Sequence, residues 1–332
     1  MKKLISILLS AALACGLAAC GGASSSGAPA SGSAASAASA PQGEAAYTVG
    51  ICQLMEHEAL DSATQGFKDK LEELLPGQVA FNEQNAQGET TNCATIVTKF
   101  VTDGVDLIMA NGTNAVKAAK EATGEIPVVG TSVTSYEGSG LVDSDDAPGA
   151  NVTGTSDYNP VTNQIELLKA LAPDAQTIGI VYCSGEENSQ IQADEAKAAL
   201  EAEGYAVELY TFAETSEMST VFTQAASEVD AFYGPTDNLV AANMELVRSV
   251  TVPAGKVVIC AEGGMVENGG LASYAVDYYS LGQAAAEQAY EILTEGSDPA
   301  AMPIQVMSTD QLELVVNEEV AAELGIDTSV LD

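Results

Sequence analysis

Polar side chains that could bind a small molecule stand directly after the short apolar runs of this sequence. Amides and hydroxyls form hydrogen bonds, and a carboxylate can also pair with a cation. Any one of these residues could instead form a turn or cap a helix, so the recurring pattern, rather than a single position, indicates a binding site. The candidates are Gln53, Glu56, His57, Asn111, Thr113, Asn114, Thr131, Ser132, Asp157, Tyr182, Asn188, Ser189, Thr236, Asp237 and Asp277; of these, Asp157 lies in an extended segment at 151–157 and Tyr182 within the apolar run at 177–183.

The sequence lacks the motifs of common catalytic and nucleotide-binding sites. It has no Gly-x-Ser-x-Gly, P-loop, HExxH or Gly-x-Gly-x-x-Gly after an apolar run. The one histidine, His57, has no evident nucleophile partner, and no CxxC or Cys/His cluster predicts zinc. We therefore expect a protein that is not an enzyme and has neither a metal nor a cofactor.

The charge balance excludes another class of function. The 332 residues include 47 Asp or Glu and 11 Lys or Arg, which gives a formal charge of −36. Nucleic-acid binding needs clustered Lys and Arg, so we exclude it. The apolar fraction of 46% and the charged fraction of 17% are typical of a folded protein, and the length predicts two domains or one large one.

The N-terminus predicts export and lipidation. Lys2 and Lys3 precede an apolar stretch at 4–17, and Leu17-Ala18-Ala19-Cys20 resembles a bacterial lipobox cut before Cys20. An ordinary secretory signal is the alternative, and a membrane-spanning helix would need a run of roughly 20 apolar residues. Residues 21–43 are rich in Ala, Ser, Gly and Pro and predict a flexible tether. We expect an extracytoplasmic protein, lipid-anchored to the bacterial cell membrane.

From Tyr47 the sequence alternates between two periods. Short runs rich in Val and Ile, such as those at 47–54 and 177–183, are separated by segments with apolar residues at helical spacing. Asp61 is a candidate N-cap, and Asn159-Pro160 predicts an N-cap followed by Pro at the first helical position. This alternation predicts an α/β fold with parallel sheets.

The repetition forms two blocks, 47–155 and 157–275, joined by an extended crossing at 151–157. Each block has the size of one doubly wound domain, in which ligands bind beyond the carboxyl ends of the strands. Two facing domains would place both sets of strand ends around one cleft.

Four cysteines remain after Cys15 is removed with the signal and Cys20 is lipidated. Cys52, Cys93, Cys183 and Cys260 allow three two-bridge connectivities. Because most of them lie in or beside apolar runs, we favour buried free thiols over disulfides.

Several blocks of the sequence together resemble a known family. They include 51–61, 85–88, 151–157, 186–189, 235–238 and 275–282. These blocks are similar to those of ABC-transporter substrate-binding lipoproteins, in the subfamily that binds tryptophan and other aromatic amino acids. Two loops depart from the family pattern, Thr134-Ser135-Tyr136-Glu137 and Ala261-Glu262-Gly263-Gly264.

The resemblance implies a type I periplasmic-binding fold, with two Rossmann-like lobes and three hinge crossings near 153–157, 275–279 and 301–305. The implied organisation is a signal peptide at 1–19 and a linker at 20–46 that includes the lipidated Cys20. Lobe I then takes 47–155 plus 278–302, and lobe II takes 156–277 plus 303–332.

The composition limits how such a site could bind an amino acid. The one arginine, Arg248, lies late in a predicted helix, so an Arg clamp on the ligand carboxylate is not expected. The carboxylate would instead meet helix N-termini at 113–114 or 188–189, helped by Ser132. Asp157, Asp237, Asp277 and Glu56 are candidate partners of the ammonium. Tyr136, Tyr158, Tyr182 or His57 could stack on an aromatic side chain.

The resemblance implies a monomeric binding protein that closes around its ligand and delivers it to an ABC permease. Two kinds of alternative remain open at this point: a ligand receptor for a membrane sensor, or a binder of a nucleoside, a sugar or a small aromatic acid.

Overall fold

Two six-stranded sheets organise this computed structural model, which describes residues 45–308 and 311–331. The strands are β1 (Tyr47–Gln53), β2 (Val79–Asn85), β3 (Leu107–Asn111), β4 (Val128–Val133), β5 (Val152–Ser156), β6 (Thr177–Cys183), β7 (Ala206–Phe212), β8 (Ala231–Gly234), β9 (Val257–Cys260), β10 (Ala272–Ala275), β11 (Gln305–Val306) and β12 (Glu313–Val316). The predicted signal peptide, Cys20 and residues 21–44 of the linker lie outside the described residues.

Eleven α-helices accompany the strands in the described part of the chain. They are α1 (Glu58–Leu74), α2 (Thr90–Asp103), α3 (Thr113–Ala122), α4 (Val161–Leu171), α5 (Glu187–Ala202), α6 (Thr215–Glu228), α7 (Asn238–Ala241), α8 (Met244–Thr251), α9 (Gly263–Glu267), α10 (Tyr278–Glu295) and α11 (Glu318–Leu324). The prediction of an α/β fold with parallel sheets is confirmed.

The first sheet has the order β11-β5-β4-β3-β1-β2, and all its strand pairs are parallel. Helices cover both faces, so successive residues of one strand enter different cores. Val49 and Ile51 pack in the core beside α1 and α10, whereas Cys52 packs in the core beside α2 and α3. Burial on both faces explains why these strands are continuous apolar runs in the sequence.

The second sheet has the order β12-β10-β9-β8-β6-β7 and is parallel except for the antiparallel pair of β10 and β12. Its strands also alternate between two cores, since Ile180 and Tyr182 join one cluster and Val181 and Cys183 join the other. Each sheet with its helices forms one lobe.

The chain passes between the lobes after β5, after β10 and after β11. The third passage was predicted near 301–305, with lobe II resuming at 303, but Gln305 and Val306 pair with Thr155 and Ser156 of the first sheet. The predicted boundary is therefore wrong for these two residues, and the passage follows Val306. A two-residue strand has too short an apolar pattern to be seen in the sequence.

Close packing of α1 on α10 fixes the second passage. A Cβ atom on Gly66 would lie 2.1 Å from the Tyr279 carbonyl oxygen, and one on Gly282 would lie 2.0 Å from the Ala63 carbonyl oxygen. Only glycine allows this approach, so α10 is held against a helix of the first lobe although its chain arrives from the second.

Two predicted helix starts are wrong. Helix α1 begins at Glu58 with His57 at its N-cap, so Asp61 lies inside the helix, where it accepts a hydrogen bond from Gln53. Pro160 occupies the N-cap of α4. The Asn159 amide donates instead to the carbonyl oxygens of Ala261 and Tyr274, which ties it to the ends of β9 and β10.

Cys52, Cys93, Cys183 and Cys260 are all buried free thiols. Of the helices in the described ranges, none combines the length and the apolar character needed to cross a bilayer.

Candidate functional site

The carboxyl ends of the two sheets face each other across a closed cleft. Besides the Tyr278–Glu262 contact at the hinge described below, four polar contacts join the lobes within the described residues, and each connects a residue that follows a first-lobe strand to a loop or helix of the second lobe. They are His57 Nε2 with Asn238 Oδ1 (3.1 Å), Asn114 Nδ2 with Gly185 O (3.3 Å), Lys117 Nζ with Glu187 Oε2 (2.9 Å) and Asn268 Nδ2 with Glu58 Oε2 (3.1 Å).

Two buried acids meet at the hinge side of this cleft, and we call Asp157 and Glu262 the hinge acid pair. Asp157 follows β5 of the first lobe, Glu262 follows β9 of the second, and they are 3% and 2% exposed. The Tyr278 phenol oxygen lies 2.8 Å from Asp157 Oδ2 and 3.3 Å from Glu262 Oε2. Asp157 Oδ1 and Glu262 Oε1 are buried without any hydrogen-bond partner.

The hinge acid pair resists ionisation. Burial raises the pKa of Asp157 above its ordinary value. Burial, followed by the charge of Asp157, raises the pKa of Glu262 to about 8. Hydrogen bonds from Thr134 and from its own backbone act on Asp157 alone, so Glu262, which within the described residues has only the shared Tyr278 hydroxyl, needs a proton or a cation to be satisfied. The arrangement therefore favours a positively charged ligand group.

A second pair of buried acids lies at the start of α7, and we call Glu186 and Asp237 the α7 acid pair. Asp237 accepts hydrogen bonds from the backbone N–H groups of Cys183 (2.7 Å) and Val240 (2.9 Å). Burial, together with the charge of Glu186, raises the pKa of Asp237 to about 7.

Glu186 is held in the same way by the first turn of α7. It accepts hydrogen bonds from the backbone N–H groups of Asn238 (3.0 Å) and Leu239 (3.0 Å), and from the Asn238 side chain (2.6 Å). Both carboxylates of the α7 acid pair thus accept hydrogen bonds from backbone N–H groups of the protein that would otherwise be unpaired.

The N-termini of α3 and α5 approach each other across the cleft, as the Asn114–Gly185 and Lys117–Glu187 contacts show. Thr113 and Asn114 begin α3, while Asn188 and Ser189 lie in the first turn of α5. The first-turn N–H groups of a helix have no partner within it and attract anions. The two helix N-termini that the sequence offered as alternative carboxylate sites, at 113–114 and 188–189, therefore lie on opposite sides of one cleft.

Ser132 and Asn188 also have buried atoms without a partner. Ser132 sits at φ 56°, an uncommon left-handed conformation for serine, and its Oγ is unbonded. Asn188 donates to the carbonyl oxygen of Thr236 (2.8 Å), which leaves its Oδ1 unbonded. Ser189 Oγ also donates to the Thr236 carbonyl oxygen (3.3 Å).

Three candidates are used within the first lobe. Gln53 donates to Met55 O and Asp61 and accepts from Thr64, so its amide is fully bonded. Thr131 Oγ1 accepts from Thr155, and Asn111 donates to Leu60 O and Thr64, which leaves Asn111 Oδ1 unbonded. These residues position α1 and β5.

The remaining candidates lie apart. Glu56 and His57 line a cavity of about 480 Å³ that also reaches Glu262. Asp277 is exposed and caps α10 by accepting from the Tyr279 N–H (3.0 Å). Tyr182 packs in a core of the second lobe.

Two further aromatic candidates do not lie free in the cleft. Tyr136 is buried in a core of the first lobe and donates to Thr155 O, and the Tyr158 hydroxyl donates to Glu195.

Sequence reasoning missed Glu262 and Tyr278 as site residues. Glu262 lies two residues after β9, a position that is a usable signal. Tyr278 stands beside Asp277, and the sequence cannot show which of these two side chains turns toward the cleft.

Comparison with known proteins agrees with this architecture. Residues 48–330 match the family described as ABC transporter substrate binding protein. The tyrosine-binding protein of Clostridioides difficile is 37% identical over 281 residues, covering 84% of this chain and 81% of that protein. The ABC domain in complex with L-Trp from Streptococcus pneumonia aligns with a TM-score of 0.82 at 36% identity, covering 86% of this chain and 97% of that one.

A third relative was solved in a ligand-free, open form. The ligand-free, open structure of a substrate binding protein with adhesive properties from Clostridium difficile aligns with a TM-score of 0.65, also at 36% identity, covering 85% of this chain and 96% of that one.

Proposed function

Because the chain belongs to the ABC transporter substrate binding protein family, we propose that it is the binding component of an ABC importer and captures an aromatic L-amino acid. The family consists of extracytoplasmic solute-binding proteins rather than enzymes. One observation favours a small polar ligand between the lobes: Ser132 Oγ, Asp157 Oδ1, Asn188 Oδ1 and Glu262 Oε1 are buried without partners at the meeting strand ends.

The aromatic preference is supported by the relatives. One is named a tyrosine-binding protein, and another was solved in complex with L-Trp. Both are more than one-third identical to this chain, and each match covers more than four-fifths of it.

In the proposed mechanism, the ligand bridges the two lobes and stabilises the closed form. The lobes rotate about the passages after β5, β10 and β11, and the closed form docks on the permease. The protein acts as a monomer, tethered to the membrane by a lipid on Cys20 and the linker that follows.

A thermal-shift panel of the twenty amino acids tests the ligand class. At a ligand concentration of about 100 times Kd, linkage stabilises the protein by about 2.7 kcal/mol, so a binder is easily detected. We expect L-tyrosine, L-tryptophan or L-phenylalanine to give the largest shift. A panel without any shift would contradict the amino-acid assignment.

Mass spectrometry of the protein purified from membranes tests the anchor. We expect a mature N-terminus at Cys20 with the mass of an attached lipid. An unmodified Cys20, or cleavage at another residue, would contradict it.

A further inference from the structure

We infer that the ammonium group of the ligand binds between the hinge acid pair, Asp157 and Glu262, and that this cation decides binding while the ligand carboxylate contributes little. This inference rests on the proposed function. It widens the ligand class, because aromatic amines that lack a carboxylate should also bind.

The two unbonded carboxyl oxygens of the hinge acid pair are the first support. Asp157 and Glu262 come from different lobes, are buried, and approach the same Tyr278 hydroxyl. A group that bonds Asp157 Oδ1 and Glu262 Oε1 together must donate at least two hydrogen bonds. An ammonium has three donors and also neutralises the pair.

The chemistry of the unbonded atoms of the cleft residues is the second support. Asp157 Oδ1, Asn188 Oδ1 and Glu262 Oε1 are acceptors, Ser132 Oγ can accept or donate, and Gln192 Nε2, whose oxygen accepts from the Thr236 N–H, is an unbonded donor, so acceptors predominate. Such a site is matched to a ligand rich in donors. A carboxylate has only acceptors, so it finds few complementary side chains here.

The distribution of basic side chains is the third support. In the described residues, no Lys or Arg forms an ion pair with Asp157, Glu186, Asp237 or Glu262. Arg248 pairs instead with Glu319 (2.7 Å) and Glu323 (3.1 Å). The ligand carboxylate would thus depend on Ser132 and on the helix N-termini at Thr113 and Asn188, which are neutral donors.

The ammonium has acidic partners and the carboxylate has only neutral ones. We therefore expect two matched analogues, one without each group, to lose affinity unequally. Removing the ammonium leaves two buried acids without their cation, and we expect a loss of at least about 100-fold in affinity. Removing the carboxylate gives up neutral hydrogen bonds and helix-end interactions, for which we expect about 10-fold.

Titration calorimetry with two ligand series tests this on the purified protein. The first series is L-tyrosine, tyramine and 3-(4-hydroxyphenyl)propionate, and the second is L-tryptophan, tryptamine and indole-3-propionate. Within each series the ring is constant, so only the ammonium or the carboxylate changes. We expect the amine to retain binding and the acid to lose it in the series whose amino acid binds.

Three outcomes would overturn the inference. If the acid binds as well as or better than the amine, or if neither analogue binds, the cation does not decide recognition although the amino-acid function stands. If neither amino acid, amine nor acid binds in both series, the proposed aromatic ligand fails as well.

The variant Glu262→Gln tests the assigned residue. It keeps the shape of the side chain and removes its charge, so we expect amino acid and amine to lose at least about 10-fold in affinity. Glu208→Gln is the matched control, because Glu208 is exposed on β7 of the same lobe and should bind normally. Unchanged affinity in a folded Glu262→Gln variant would remove Glu262 from the ammonium site.

Discussion

The two buried acid pairs of this protein differ in their bonding, although both flank the same cleft. In the α7 acid pair, the carboxylates of Glu186 and Asp237 accept four backbone N–H groups of the protein. In the hinge acid pair, Asp157 and Glu262 share one phenol, and each retains an unbonded oxygen. All four side chains are at most 6% exposed.

Burial and residue type do not by themselves assign a role to a buried acid. The hydrogen-bond donors that surround the acid decide its role. The α7 acid pair completes the local fold by satisfying amides that would otherwise be unpaired. The hinge acid pair is left incomplete by the protein, which is what a group reserved for a ligand requires.

The largest expected effect is on the free energy of unfolding, and one substitution in each acid pair should show that the two pairs have different roles. Asp237→Ala leaves the buried N–H groups of Cys183 and Val240 unpaired and should lower the free energy of unfolding by about 3 kcal/mol. Asp157→Ala should change it by less than about 1 kcal/mol in the ligand-free protein, but abolish the stabilisation of about 2.7 kcal/mol that saturating ligand gives. Urea unfolding with and without L-tyrosine or L-tryptophan measures both quantities.

The reverse result would contradict the roles assigned to the two acid pairs. If Asp157→Ala unfolds the ligand-free protein and Asp237→Ala removes only ligand stabilisation, the roles assigned to the two pairs are exchanged. Asp237→Asn, which keeps one acceptor oxygen, should lie between wild type and Asp237→Ala.

The pH dependence of stability provides a second test of the hinge acid pair. Glu262 has a native pKa of about 8 against an ordinary value of 4.5, and it faces Asp157, Tyr278, Cys260 and the α7 acid pair. Between these values the native protein holds a proton that the unfolded chain has lost. Stability should therefore fall as pH rises from about 5 to 8, by about 3 kcal/mol from this residue.

Melting curves from pH 5 to pH 8 measure that slope in the ligand-free protein. Glu262→Gln cannot ionise and should flatten it, while Glu208→Gln should leave it unchanged. An equally steep slope in Glu262→Gln would show that Glu262 is not the titrating group.

A smaller effect is expected at the hydroxyl that joins the hinge acid pair. Tyr278→Phe keeps the ring in place and removes the single donor shared by Asp157 and Glu262. We expect the affinity for the bound amino acid to fall by about 10-fold, near 1.4 kcal/mol, with little change in folding. Calorimetry gives the affinity, and a loss below twofold would mean that the phenol does not orient the two acids.

The smallest effect should come from the outer edge of the cleft. The side chains of Lys117 and Glu187 are 45% and 44% exposed, and such pairs contribute about 0.5 kcal/mol. Lys117→Met should therefore weaken ligand binding about twofold through the closed form, and 0.5 M NaCl should have the same effect on the wild type. A tenfold loss would assign Lys117 a direct part in binding.

Much of the fold was predictable from the sequence because the strands are buried on both faces. Runs such as Thr177–Cys183 are apolar throughout, and the helices between them have clear periodicity. The strands that escaped prediction lack such a run. Strand β5 is Val-Thr-Gly-Thr-Ser, β11 has two residues, and β12 is half-exposed at one edge of its sheet.

The site was less predictable, for a physical reason. Position after a strand selected Asp237, Asn188 and Ser132, and the extended crossing at 151–157 supplied Asp157; the structure places all four near the cleft. It could not distinguish Asp277 from Tyr278, because the direction of a side chain at a helix start depends on how the helix packs. Here the close contact of α10 with α1, through Gly66 and Gly282, sets that direction.

The same helix contact determines what happens when the lobes part. Tyr278 travels with the first lobe because α10 is locked to α1, and Asp157 stays beside it through its backbone bond to Val133. Of Tyr278, Asp157 and Glu262, only Glu262 moves away with the second lobe. Opening must therefore lengthen the 3.3 Å contact to Glu262 before the 2.8 Å contact to Asp157. Opening therefore takes Glu262 away from the burial and from the neighbouring Asp157 that raise its pKa.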